Sequence, residues 1–183
     1  SGGYGNTAQS SNTAISGGGY NLANSYGASI SGGQDNVASD TYAVVVGGEA
    51  NTASDEYAVV VSGESNVASG DHAVVGGGRY NTASHNHAAV SGGYSNLAGA
   101  RYAAVSGGRD NETTGSYASV SGGYNNLASG YTASVSGGST GTASGNSSSV
   151  NGGYRNTAAG YRSAVLGGLE STTNLTYGIA GVD

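Results

Sequence analysis

Asp71, His72, His85 and His87 lie close together in the chain. Imidazole nitrogens with one carboxylate are donors that Zn²⁺ accepts. His85 and His87 fall across a turn, however, and nothing in their spacing makes the rings converge, so no metal ligand is assigned. Asp40, Asp55, Glu56 and Asp71 form an acidic series that could attract Ca²⁺, but the calcium-binding nonapeptide G-G-x-G-x-D is missing. A solvated edge that discourages side-to-side aggregation is the simpler expectation. For catalysis there is no Cys and no Lys, and the Ser, His and Asp residues form no grouping beyond what a serine-rich chain contains. The sequons at Asn111, Asn146 and Asn174 carry little information in a chain so rich in Asn, Ser and Thr. We expect no catalytic residue and no cofactor. The remaining candidates are rings: Tyr42, Tyr57, His72, His87, Tyr102 and Tyr117 recur every 15 residues. Stacked, they would form a ladder. It could offer a platform to glycan rings or a host protein, or simply brace its own turns or a seam between chains.

What spaces these rings is a repeat. The second glycine of a GG pair falls at 3, 18, 33 and every fifteenth residue up to 168, with no insertion or deletion. Numbering each unit from the Ser of SGG, the consensus is S-G-G-x-x-N-[TLV]-A-S-x-x-[YH]-A-x-V. Position 3 is Gly in all twelve units, position 6 is Asn in ten, and position 15 is Val or Ile in eleven. A fixed length with drifting sequence is what a solenoid needs, because an inserted residue would push later coils out of register. Two or more glycines per unit exclude a helical repeat. The alternation N-x-A-S and A-x-V-S predicts two short strands per coil, joined by two turns. All fourteen Tyr and all five Arg fall at positions 4–5 or 11–12, that is, in the turns. The predicted fold is all-β: a parallel β-solenoid of about twelve coils over residues 1–183, about 58 Å long at about 4.8 Å per coil.

In this fold the Ala at positions 8 and 13 and the Val at position 15 point inward. Asn36, Asn51, Asn66, Asn81, Asn96, Asn111 and Asn126 stack as a structural amide ladder. The Gly at position 3 takes a positive φ or touches another chain. Ala and Val make a thin core, and no disulfide can staple it, since Cys is absent along with Pro, Met, Trp and Phe. Further burial is expected from outward apolar stripes. These are Leu22, Val37, Val67, Leu97 and Leu127 at position 7, and Val44, Val59 and Val74 at position 14 with Val46 and Val61 beside them. A homo-oligomer, trimer first, is the expectation.

Net charge is −6, and five scattered Arg make no basic stripe, which argues against a nucleic-acid partner. No apolar run approaches the roughly 20 residues of a membrane span. No signal peptide is visible, as in a mature product or a fragment. The lack of Cys and Met suits an oxidising, exposed setting.

Written from position 8, the unit is A-S-G-x-x-A-S-V-S-G-G-x-x-N-x, followed by Ala128 to Thr142 except at Gly141. This resembles the head (Hep/Hag) repeats of YadA-type trimeric autotransporter adhesins, built from two near-identical halves of the type A-x-G-x-x-[SA]-x. Ala128-Ser129-Gly130-Tyr131-Thr132-Ala133-Ser134 matches one half, and Val135-Ser136-Gly137-Gly138 opens the other with one extra residue. The resemblance implies a left-handed β-roll, three chains per head, and binding to host matrix or cell surfaces. The unit here is 15 residues rather than 14, the N-S-V-A-I-G signature is missing, and no coiled-coil stalk or anchor is seen. The expected function is therefore a non-enzymatic extracellular structural or adhesive element of a surface adhesin or fibre. Two alternatives are kept. One is a filament subunit stacked head to tail, since Ser1-Gly-Gly is already in register. The other is an ice-binding solenoid, disfavoured because no T-x-T ladder exists. Residues 166–183, which lose the ladder Asn and gain Leu166, Leu169, Leu175 and Ile179, are read as a cap or a docking segment.

Overall fold

The coil closes because two of its residues turn the backbone left-handed. In the computed structural model, which describes residues 2–181, positions 5 and 12 carry φ near +55° in every coil, whether the residue is Gly, Asp, Tyr, His or Arg. An L-residue pays roughly 1 kcal/mol for this conformation. Neighbouring coils compensate with hydrogen bonds. Tyr20 N–H donates to the Tyr4 carbonyl at 2.9 Å, and Tyr57 N–H to the Thr41 carbonyl at 3.0 Å.

Between these turns lie strands of two residues. β1 (Thr7–Ala8) and β2 (Ala14–Ile15) of the first coil recur every 15 residues, through β3 (Leu22–Ala23) and β4 (Ser29–Ile30), to β23 (Thr172–Thr173) and β24 (Ile179–Ala180). Odd-numbered strands form one 12-stranded sheet and even-numbered strands the other. All pairing is parallel, because each coil returns in the same direction. The register never slips: Val44 lies beside Val59, and Val59 beside Val74. The result is an all-β parallel solenoid of twelve coils.

The core between the sheets is one column each of Ala at position 8, Ala at position 13, and Val or Ile at position 15. Ala53, Ala58 and Val60, for example, are fully buried. Thr113 at position 8 and Ile30 at position 15 are buried in the same columns. Where Ser replaces Ala at position 13, Ser163 Oγ donates to the Gly160 carbonyl at 2.8 Å, but buried Ser148 Oγ has no partner.

From Asn21 onward the Asn column at position 6 is fully buried, and its bonding differs from a simple amide-to-amide ladder. Asn36 Oδ1 accepts the backbone N–H of Asn51 at 3.0 Å. Asn36 Nδ2 donates to the carbonyls of Gly32, in its own coil, at 3.2 Å and of Gly48, in the next, at 2.9 Å. Direct amide-to-amide bonds are few; Asn96 Nδ2 to Asn81 Oδ1 at 3.1 Å is one. Each Asn thus ties the GG turn of its own coil to the next coil.

The position-3 glycines have φ from +84° to +103°. A β-carbon on Gly123 would run into the carbonyl of Gly138 above it. Position 2 has no such demand: a β-carbon on Gly122 meets nothing within 4 Å.

Candidate functional site: two side-chain edges and two faces

The turns around positions 11–12 hold the ring ladder. Ring centroids lie 5.2 Å apart for Tyr42–Tyr57, 4.8 Å for Tyr57–His72, 5.1 Å for His72–His87, and 4.8 Å for both His87–Tyr102 and Tyr102–Tyr117. The planes are near-parallel, 13° for Tyr42–Tyr57, 4° for His87–Tyr102 and 17° for Tyr102–Tyr117, except around His72, where they tilt by 31° and 34°. All six candidate residues are brought together. Their faces cover one another, so what meets solvent is a row of ring edges and hydroxyls.

Both open ends of the ladder are closed as well. Tyr26 packs edge-to-face on Tyr42 at 5.5 Å, and Tyr131 on Tyr117 at 5.7 Å. The sequence reading missed these two. Both are at position 11, next to a position 12 that holds Gly27 or Thr132 instead of a ring, and that exchange was the signal. Hydrogen bonding to Tyr26, its charge, and the nearby Tyr57 and Glu56 raise the Tyr42 phenol above its ordinary pKa.

His72 Nδ1 lies 2.5 Å from Asp71 Oδ1, while His87 is held in the stack. Among the described residues no three His, Asp or Glu side chains are grouped to hold a metal ion. Asp40 and Asp55 tend their own turns, accepting the next backbone N–H at 2.6 and 2.8 Å.

The opposite edge, positions 4 and 5, alternates cations and rings from Arg79 through Tyr94 and Arg109 to Tyr124. The Arg109 guanidinium sits between Tyr94 at 5.3 Å and Tyr124 at 5.8 Å. Arg79 pairs with Glu64 at 2.7 Å and lies 4.8 Å from the centre of the Tyr80 ring. The hydrogen bond to Glu64 raises the Arg79 pKa. Towards the first coils a trough of about 670 Å³ runs along the position-3 glycines, walled by Tyr4, Gln34, Glu49 and Glu64. No charged side chain is among the buried residues described.

The eight stripe residues divide between two faces. Leu22, Val37, Val67, Leu97 and Leu127 are on the odd-strand sheet, where Thr52, Thr82 and Glu112 interrupt them. Val44, Val59 and Val74 are contiguous on the even-strand sheet. Val46 and Val61 extend that run, since the ladder continues through Val46 N–H to the Val60 carbonyl. The last coil keeps the fold but leaves Leu169, Leu175 and Ile179 at least 70% exposed, so it buries none of them; residues 182–183 of the expected terminal segment lie outside the described residues. No helix among the described residues is long and apolar enough to cross a membrane. No protein-family model matches the chain, and no curated protein matches it; the likeness to YadA-type head repeats rests on the residues quoted above.

Proposed function

We propose that this chain is a non-enzymatic structural and adhesive rod, part of a surface adhesin or fibre outside the cell. The observation that carries this reading is the pair of edges. On one, rings stack from Tyr42 to Tyr117; on the other, Arg79 and Arg109 pack on tyrosines; a partner therefore meets pre-ordered rows at little further entropic cost. Because the ring faces at positions 11–12 are occupied, recognition of a host glycan or protein there uses tyrosine hydroxyls and ring edges as hydrogen-bonding groups. Among the described residues every charged group reaches solvent, which suits display better than acid–base chemistry, which relies on desolvated groups. The absence of Cys and Met supports an extracellular setting.

Binding of the chain to glycan and matrix-protein arrays tests this, with the Tyr57→Ser/Tyr102→Ser variant alongside. Binding by the native chain that the folded variant loses supports the adhesive role. A variant that melts earlier yet binds equally well makes the ladder a brace only. A native chain that binds nothing overturns adhesion.

A second reading, a filament subunit, is favoured by the last coil. Its exposed Leu169, Leu175 and Ile179 form a surface that another coil would cover, whether of this polypeptide or of a second copy. Long fibres in negative stain, lost on Leu175→Ser, are the expected result.

A further inference from the structure

The charges are not spread evenly along the rod. Residues 31–75 hold seven of the eleven acids, Asp35, Asp40, Glu49, Asp55, Glu56, Glu64 and Asp71, and no Arg. Residues 76–109 hold Arg79, Arg101 and Arg109 and no acid. The five-valine patch of the even-strand sheet lies in the acidic block, with Val46, Val61 and Val74 exposed to 45%, 40% and 39%. Further along the same sheet the outward positions become small: Ala89, Ala104 and Ser119, with Ser91, Ser106 and Ser121 beside them.

From this pattern we infer that the even-strand face is a homodimer interface, in which two copies pack face to face with their axes antiparallel. The dyad lies between the strands of Val74 and Ala89. It sets Val74 against Ala89 of the second copy, Val59 against Ala104, Val44 against Ser119, Val61 against Ser106, and Val46 against Ser121. Each protruding valine meets a small residue. The edges agree with this register. Asp55 and Glu56 come level with Arg101 of the second copy on one edge; on the other Glu64, paired with Arg79, comes level with Arg109, paired with Asp110. Among the described residues Arg101 has no acidic partner within its own chain, nor has Glu56 a basic one.

A parallel arrangement fails on both counts. It would set each coil against its own counterpart, acid against acid, Arg against Arg, and Val against Val. This includes the in-register trimer that the resemblance implies. The position-2 glycines border the same face, and no φ or neighbour in the chain requires glycine at Gly47, Gly92 or Gly107, which fits close approach by another molecule. Ten overlapping coils make a face about 48 Å by about 16 Å, so roughly 800 Å² from each copy, which is a standard stable interface. The inference is independent of the adhesive reading, since array binding does not report on it.

Cross-linking decides the orientation, because the chain has no cysteine of its own. In Val59→Cys/Ala104→Cys the two thiols of one chain are three coils, about 14 Å, apart, beyond a short bismaleimide. In the antiparallel dimer each faces the other's counterpart. The double variant is expected to give a covalent dimer and each single variant none. Sedimentation of the native chain should give twice 17.6 kDa. Val59→Asp should weaken the dimer by about 100-fold with an unchanged far-UV spectrum. Arg101→Glu should weaken it less, and Arg101→Glu/Glu56→Arg should restore it. Native chain that sediments as monomer at every concentration, or as trimer, overturns the inference. So does a Val59→Cys single variant that links to itself.

Discussion

The two turns of each coil do the same job by different means. Positions 4, 5, 6 and 8 correspond to positions 11, 12, 13 and 15, seven residues on. Each half puts a left-handed residue second in this series and a buried small or apolar residue last. In the shorter turn the backbone closes on itself: Ala58 N–H donates to the Asp55 carbonyl at 3.1 Å. The longer turn carries the fifteenth residue, the glycine at position 3. There the corresponding N–H, that of Asn51, is bonded instead by Asn36 Oδ1 of the coil before. The asparagine of the coil before replaces the lost turn bond, and its amide ties down one carbonyl in each of two successive turns. The shorter turn needs no such residue, and its outer positions are free to carry the ring ladder.

This contrast can be broken most severely at position 3. Gly123→Ala adds a β-carbon at φ +91° against the next coil's backbone, and should cost more than about 3 kcal/mol, while Gly122→Ala, one residue earlier, should change folding stability by less than about 1 kcal/mol. Urea unfolding of the two variants side by side measures the difference; equal losses would remove the distinction. Next comes Asn81→Ala, which orphans the Asn96 N–H and the Gly77 carbonyl and leaves the Gly93 carbonyl with the Arg79 N–H alone, for an expected loss of about 3 kcal/mol.

On the shorter turn the effects should be smaller. Tyr57→Ala forfeits two ring contacts but keeps the left-handed backbone, and should lose about 1–2 kcal/mol, whereas Tyr57→Gly, which removes the strain, should recover about 1 kcal/mol of that. The contrast is sharpened in the other direction by Gly141, which stands where the ladder asparagine is missing and whose φ is not positive. Gly141→Asn should stabilise by about 1 kcal/mol, with the Asn126 amide and Val150 giving way slightly to the new side chain. The smallest effect is electrostatic. The raised Tyr42 pKa favours the protonated phenol in the fold, so its contribution is present below the ordinary phenol pKa, about 10, and fades as pH rises through the raised value. Melting curves recorded across that range should fall less steeply for Tyr42→Phe than for the native chain.

Much of this was legible in the letters. The unbroken 15-residue period fixed coil number, strand parity and parallel register, because a solenoid tolerates no slip. The confinement of Tyr and Arg to four positions located the turns, and the Ala, Ala, Val columns located the core. The extra residue relative to the seven-residue halves was visible too, as the second glycine of GG. What only the tertiary structure decided concerns directions and partners between coils. The letters do not say that Asn36 bonds backbone rather than amide, that the ladder rings hide their faces and show their edges, or that Tyr26 and Tyr131 close its ends. The reason is physical: sequence spacing sets which residues stack, but where a side chain points depends on the φ and ψ of its turn and on the coil above it.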